Sequence, residues 1–345
     1  MFKDLNQRWV GEAQIVTSLL FFGISFVYQR SAMLNGMKPI TYNACRYVVS
    51  TALLFITKYF SGDILHDDVL STPQHEVVQQ QGNRWKQLLF YGSILGIANF
   101  GGSLLQQIGL VTVTAGKTGF ITGMYVVFVP IVEYLIPWYN STFDVVACVA
   151  ALVSLFGLYL LSGCAEQQVC FGGAIGEGEV IVFVSMLFWV ISIIISDMGT
   201  KKVDVVMLTC VDFSVTTIIT LVLAFIFEAD NWQYPFTAIH DNWKTIILVG
   251  FTEAVAFLLS MLGQMYTPPT RAALLFSMEA AVCGIFSYFL LDETLSWIEI
   301  FGGSLMLCAA VFSSTHITTE IEELEGSMDE KLPLSVDKRS LNGSV

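Results

Sequence analysis

The sequence predicts an all-α integral membrane protein of ten transmembrane helices, arranged as two inverted five-helix repeats. Three observations carry that expectation: a composition too apolar for a water-soluble domain, ten apolar runs of spanning length, and an internal repeat offset by an odd number of helices. Of the 345 residues 54% are hydrophobic and only 13% are charged, and mean hydropathy is +0.67, whereas an ordinary soluble domain is about a quarter charged. A helix needs roughly 20 apolar residues to cross the ~30 Å hydrocarbon core. Only helices and closed barrels satisfy their backbone groups in lipid, and these runs are longer than the ~10 alternating residues of a barrel strand.

The ten runs lie at 13–34, 40–59, 86–108, 113–137, 143–163, 177–198, 204–227, 245–266, 270–291 and 295–315. Lys3 and Arg8 precede the first run in the manner of a secretory signal, but that run is about 22 residues long and no A-x-A-like cleavage site closes it, so it reads as a retained helix. The second run carries Arg46. The third and fourth, and the eighth to tenth, are joined by only a few residues each. The resulting organisation is a cytoplasmic N-terminus over 1–12, a first repeat over 13–163, an extracytoplasmic linker over 164–176, a second repeat over 177–315, and an acidic tail over 316–345 whose EIEELEGSMDEKLP stretch reads as disordered.

Basic residues favour the cytoplasmic side of a membrane. With the N-terminus inside, the inner segments hold Lys3, Arg8, Lys58, Arg84, Lys86, Lys201, Lys202, Arg271, Lys331, Lys338 and Arg339, and the outer ones hold only Arg30, Lys38, Lys117 and Lys244. Both termini are therefore expected in the cytoplasm. The net charge of −13 says little about partners, because many of the acids sit in the loop 61–84 and in the tail.

Of the seven cysteines, Cys45, Cys148, Cys210, Cys283 and Cys308 fall inside the runs, where a thiol behaves as a small apolar group. Cys164 and Cys170 lie in the outer loop SGCAEQQVCFGG, where an oxidising compartment permits a disulfide between them. His66, Asp67, Asp68, His75 and Glu76 lack tight ligand spacing and read as a polar linker rather than a metal site.

Shifting the chain by 154 positions lays LLQQIGLVTVTAGKTGFITGM, from Leu104, over LLSMLGQMYTPPTRAALLFSM, from Leu258, without a gap. Gly109 meets Gly263, Lys117 meets Arg271 and Met124 meets Met278. Runs three and four thus correspond to eight and nine. An offset of five helices makes the second copy enter the membrane from the opposite side, as in transporters built from inverted repeats.

Four stretches resemble one family: FFGISFVYQRSA from Phe21, PITYNACRYVVSTALLF from Pro39, AGKTGFITGMYVVFVPIVEYLI from Ala115, and AALLFSMEAAVCGIFSYFLLDETLSWIEIFGGSLMLCAAVF from Ala272. They look like the EamA-type carriers of the drug/metabolite transporter superfamily, over nearly all of residues 12–315. The resemblance implies ten helices in two halves, transport of small organic metabolites, and a bacterial inner membrane. The chain departs from the pattern at Ala280, where the family often has Pro after the carboxylate matching Glu279. It departs again at Val145 to Cys148, opposite the glycine pair Gly302 and Gly303.

Glu279 lies about 12 Å along its helix from Arg271 at 1.5 Å per residue, near midplane. An ionisable group at that depth costs roughly 2.5–3.5 kcal/mol on insertion scales and should face the bundle interior or a wet cavity. The same holds for Arg46, Asp212 and Glu253, whereas Glu133, Asp292 and Glu293 sit nearer helix ends. The substrate path is expected among Glu279, Arg46, Asp212, Glu253, Gln29, Asn43, Asn99, Tyr125 and Trp189. For the two groups also implied by the resemblance, Glu279 and Arg46, tying helices together is an equally good reading. Gln14, Gln106, Gln107 and Gln264 add amides that need partners in lipid, and Phe22, Tyr28, Tyr42, Tyr47, Phe257 and Tyr288 add rings that stack on a solute or simply pack. Lys117, Arg271, Gly302 and Gly303 are assigned structural roles, the glycines because they allow close helix approach.

No H-E-x-x-H, G-x-S-x-G or P-loop motif is present in the sequence. The expected activity is secondary transport of an amino acid, an amine or a similar neutral, zwitterionic or cationic solute, exporting by alternating access. The alternatives are a nucleotide-sugar or phosphorylated-sugar exchanger, and an uncoupled channel or scaffold. Phosphorylated cargo wants several embedded bases, and Arg46 alone is deep. At least one of Glu279, Asp212 and Glu253, short of basic partners, is expected to carry a proton in one state of the cycle. The partners expected are a small-molecule substrate and the bilayer, with proton coupling and a homodimer both open; no cofactor, metal or nucleic acid is expected.

Overall fold

The computed structural model describes residues 2–61, 74–113, 115–136, 145–162, 176–228, 233–291 and 296–313. Cys164, Cys170, Asp292, Glu293, the polar linker around His66 and the acidic tail lie outside them. The described part is helical throughout: α1 Phe2–Leu34, α2 Pro39–Ser61, α3 Gln74–Thr112, α4 Ala115–Gly123, α5 Tyr125–Leu135, α6 Val145–Leu161, α7 Glu177–Thr200, α8 Val205–Phe227, α9 Gln233–Gln264, α10 Pro269–Ser277 and α11 Glu279–Leu291, followed by α12 Trp297–Ser313. Seven stretches are long and apolar enough to cross a membrane by themselves. Of the ten expected runs, the fifth and tenth form shorter apolar helices, α6 and α12. The second, α2, does not reach the same hydropathy, because it carries Arg46, Asn43 and a row of hydroxyls.

Helix ends are held by acids that reach backbone donors, as lipid demands of groups that water would otherwise satisfy. Asp204 caps α8 by accepting from Met207 N at 2.8 Å. Glu228, just past the end of α8, accepts from the N–H groups of Ile40 and Thr41 at 3.1 and 2.7 Å and so caps α2. Glu133 does the same for α10, accepting from Thr270 N at 3.1 Å. It is buried and spends its carboxylate on the neighbouring helix rather than on water. Ser296 and Glu299 form a reciprocal capping box at the start of α12.

Those contacts also sort the ends of the bundle. Lys58 at the end of α2 pairs with Asp204 at the start of α8, 3.5 Å away, while Glu228 at the end of α8 holds the start of α2; the two helices run antiparallel. Lys202 donates to Tyr91 of α3 at 2.6 Å, and Arg271 of α10 pairs with Glu12 near the start of α1 at 2.7 Å. Opposite, Asn35 after α1 donates to Asn242 of α9 at 3.5 Å.

Packing repeats itself. Helix α3 lies against α7 and α8, and α9 lies against α1 and α2, while α2 faces α8 across the middle. The pair α4–α5 packs on α7, and the pair α10–α11 packs on α1. Close approach recurs too: Gly11 of α1 meets Gly263 of α9, and Gly178 of α7 meets Gly109 of α3. The largest apolar cluster joins α1, α5, α6, α7, α10 and α12 through Leu19, Val129, Ala151, Met186, Ala273 and Ala310.

At the α6–α12 crossing the two helices touch through backbone. A Cβ on Gly302 would stand 2.6 Å from Leu161 N and 2.8 Å from Leu160 Cβ, besides meeting Gly157 O, whereas one on Gly303 would find nothing closer than 3.7 Å. Gly302→Ala is therefore expected to lower stability by roughly 1–3 kcal/mol through forced separation of the helices. Gly303→Ala should stay within about 0.5 kcal/mol of the parent. Denaturant unfolding in detergent micelles compares them, and equal effects would show that the crossing is not set by Gly302.

Candidate functional site

Two of the long spans are broken at matching places. Helix α4 ends at Gly123 and α5 starts at Tyr125; α10 ends at Ser277 and α11 starts at Glu279. The single residues between, Met124 and Met278, keep right-handed dihedrals but tighten the turn. Met124 N donates to Ile121 O at 3.3 Å and Met278 N to Leu275 O at 3.0 Å, three residues back instead of four. The break at Met278 forms without a proline: Ala280 follows Glu279. Its consequence is that Glu279 stands in the first turn of α11, where the helix dipole favours a negative charge.

Between the halves lies an open cavity of about 830 Å³, a volume that includes the solvent space at its mouth. Among the expected path residues Gln29, Arg46, Tyr125, Trp189, Glu253 and Glu279 line it, and Asn43, Asn99 and Asp212 do not. Phe22, Tyr47, Gln106, Phe257 and Gln264, noted in the sequence only as general lining or packing groups, also face it. Phe26, Ser103, Thr122, Ser192, Ile193, Ser196, Ser260, Met261 and Phe276 complete the wall and were not singled out from sequence. The five hydroxyl residues among them were hidden because a lone Ser or Thr in an apolar helix most often bonds back to its own backbone. Here Ser260 does so, donating to Phe257 O at 2.8 Å, while still bordering the space.

The charged groups sort into different environments. Arg46 and Glu253, both buried, form an ion pair through Arg46 Nη1 and Glu253 Oε1. The guanidinium lies over the Tyr47 ring, 4.9 Å from its centroid. Gln29 donates to Ser25 Oγ at 2.9 Å and to Glu253 Oε1 at 3.4 Å, and Gln107 donates to Gln29 Oε1. Glu253, expected to lack a basic partner, thus has one. Asp212 is 1% exposed and has no basic partner among the described residues; it accepts from Asn99 Nδ2 at 3.2 Å, and Asn99 accepts from Tyr47 OH at 2.9 Å. Asn43 is fully buried, with neither amide atom partnered among the described residues. Glu279 is half-buried, and among the described residues it makes no hydrogen bond or ion pair.

The two charged assemblies are counterparts. Positions 46 and 212, like 50 and 216, are 166 apart, while 99 and 253, like 96 and 250, are 154 apart. Ser50 donates to Arg46 O at 2.9 Å and to Gly250 O at 2.8 Å; Thr216 donates to Asp212 O and to Gly96 O, both at 3.0 Å. One half therefore sets a guanidinium against a carboxylate, and at the corresponding place the other sets a carboxylate against an amide. Tyr125 and Glu279 correspond in the same way, each opening the helix after a break and each facing the cavity.

A sequence profile of the EamA-like transporter family matches residues 9–163 and 176–315. A protein of Archaeoglobus fulgidus described as an uncharacterized transporter is 26% identical over 311 residues, which cover 90% of this chain and 88% of its own. The uncharacterized transporter YoaV of Bacillus subtilis is 22% identical over 303 residues, covering 87% and 95%. Among solved structures, a crystal structure of a protein superposes with a TM-score of 0.65 over 88% of this chain and 98% of its own, at 14% identity, which is a likeness of fold.

Removing one partner of a buried ion pair leaves the other charge uncompensated, at a cost of about 3–5 kcal/mol. Glu253→Gln is expected to destabilise the protein by that order. Arg46→Met with Glu253→Leu should recover most of the loss, because no buried charge remains. Chemical unfolding in detergent reads both, and an unchanged midpoint for Glu253→Gln would mean that water reaches the pair.

Proposed function

The chain belongs to the EamA-like transporter family, and on that premise we propose that it is a secondary transporter of small organic solutes such as amino acids or amines, exporting them by alternating access. The observation that carries the reading is the cavity between two sets of helices whose contacts correspond residue by residue. Counterpart halves give a carrier two arrangements of similar energy, so that small rearrangements expose one central site to either side.

Ten crossings as two inverted repeats fit this mechanism. Counterpart helices α2 and α8 run antiparallel, as copies of opposite membrane orientation do. The end of the bundle that gathers Arg8, Lys58, Lys201, Lys202 and Arg271 is rich in bases, which favours that end, and with it both termini, on the cytoplasmic side. The bacterial inner membrane is the setting we propose. Transport is coupled to protons through a carboxylate that is ionised while the cavity is open to water and carries a proton when it is closed. Among the described residues Glu279 makes no hydrogen bond or ion pair and Asp212 has no basic partner, so both fit that role better than Glu253, which Arg46 compensates.

Topology is tested with single cysteines placed at exposed Lys201 and Asp241 in a background lacking the native seven. An impermeant maleimide should label position 241 from outside in intact cells and reach position 201 only after permeabilisation. Labelling of both from one side would remove the inverted arrangement.

Transport itself is tested in proteoliposomes against a metabolite library. Saturable counterflow is expected, since a channel gives no exchange acceleration, and the absence of counterflow for every solute that binds would overturn the carrier reading. If coupling runs through Glu279 or Asp212, then Glu279→Gln or Asp212→Asn should abolish gradient-driven accumulation; exchange should persist in Asp212→Asn, which lies off the cavity wall, and weaken in Glu279→Gln, which lines it. Undiminished accumulation in both variants excludes coupling at these two groups.

A further inference from the structure

Among the described residues three charged side chains line the cavity: Arg46, Glu253 and Glu279. The first two are paired with each other, and the pair is braced by Gln29 and by the Tyr47 ring under the guanidinium. They present a compensated unit to anything that enters. Glu279 alone faces the space with no hydrogen bond or ion pair among the described residues. The counterpart of Glu279 in the first half is Tyr125 and that of Arg46 is Asp212, so the internal correspondence places no second base opposite the carboxylate. One wall is aromatic: Phe22 stacks edge-on against Phe257, with centroids 5.1 Å apart, and Trp189 lies 6.3 Å from the same ring. Trp189 Nε1 is buried and unpartnered among the described residues.

From this geometry we infer that the cavity is a site for a monovalent organic cation, a protonated amine whose ammonium group binds Glu279 and whose hydrocarbon or ring portion lies against Phe22, Trp189, Phe257 and Phe276. The inference rests on the reading of the cavity as the transport site and narrows its cargo. An ammonium group supplies the counter-charge that no described residue places beside Glu279. Aromatic faces attract cations as well as hydrocarbon, so the wall favours the same ligand. An anion meets the uncompensated Glu279, and the guanidinium it would seek is already charge-compensated by Glu253. A zwitterion gains the contact to Glu279 but carries its own carboxylate into the same difficulty. Discrimination here comes from a repulsive element as much as from an attractive one.

A charge series on one frame tests this: phenethylamine (cation), 2-phenylethanol (neutral), phenylalanine (zwitterion) and 3-phenylpropanoate (anion). Each is titrated calorimetrically into the purified full chain in detergent at neutral pH and constant ionic strength. Phenethylamine is expected to bind roughly 10- to 100-fold more tightly than 2-phenylethanol, the range that a hydrogen bond to a charged group supplies. Phenylalanine should fall below phenethylamine, and 3-phenylpropanoate should not bind. Glu279→Gln should bring the cation down to the level of the neutral compound and leave the neutral compound unchanged. Equal binding across the wild-type series, tighter binding of the zwitterion or anion, or a cation preference that survives in Glu279→Gln would each overturn the proposal. The wild-type series decides even where the variant does not fold. Cation-selective binding without counterflow of phenethylamine in proteoliposomes would keep the site and remove the transport reading. Counterflow of some other solute with no cation preference in the series would do the reverse.

Discussion

The centre of the bundle is organised by the crossing of α2 with α9 and of α8 with α3, where charged side chains are held deep in an apolar body by partners on the facing helix. At such a depth each unsatisfied polar atom costs far more than it would in water. The Arg46–Glu253 pair joins α2 to α9, the Asp212–Asn99 bond joins α8 to α3, and hydroxyls of Ser50 and Thr216 reach across to Gly250 O and Gly96 O. The glycines at those carbonyls let the backbones come together: a Cβ on Gly96 would stand 2.5 Å from Val215 Cβ, and one on Gly250 would stand 2.6 Å from Val49 Cβ. Hydrogen bonds of this kind are directional, so they fix rotation and depth where apolar packing alone leaves both loosely set.

Fixing those four helices determines where the remaining elements go. With α2 and α8 antiparallel in the middle, each broken span packs against the first helix of the other half. The breaks at Met124 and Met278 bring Tyr125 and Glu279 to the inner wall. A continuous helix would carry its dipole past this depth without a terminus, whereas an interrupted one places a helix start beside the cavity. The internal correspondence is close in backbone and packing but is broken in charge, and the broken positions are where the cavity acquires its chemical character.

The same geometry separates groups that look alike by depth. Glu133, Glu228, Glu253 and Glu279 are all glutamates in or beside apolar segments. Glu133 and Glu228 cap neighbouring helices, Glu253 compensates a guanidinium, and Glu279 is left facing open space. The transport role proposed for Glu279 rests on what remains after structural obligations have been met.

The sequence by itself determined that the chain is a helical membrane protein, because hydropathy and length are summed along the chain and need no partner. It also disclosed the family, through the Ala115 and Ala272 blocks, and the correspondence of α3–α5 with α9–α11, whose 154-residue offset holds without a gap. It did not disclose the correspondence of α2 with α8. The segment between runs two and three is longer than its counterpart, so the offset changes to 166 and a single shift loses the match. It indicated the depth of Arg46, Asp212, Glu253 and Glu279, since depth depends on position along a helix. Only the tertiary structure decided which of these charges pair, which hydroxyls border the cavity, and that the helix breaks at Met278 without a proline. Those outcomes depend on which face of each helix meets which neighbour, and helices of nearly uniform hydrophobicity carry no periodic signal of that face.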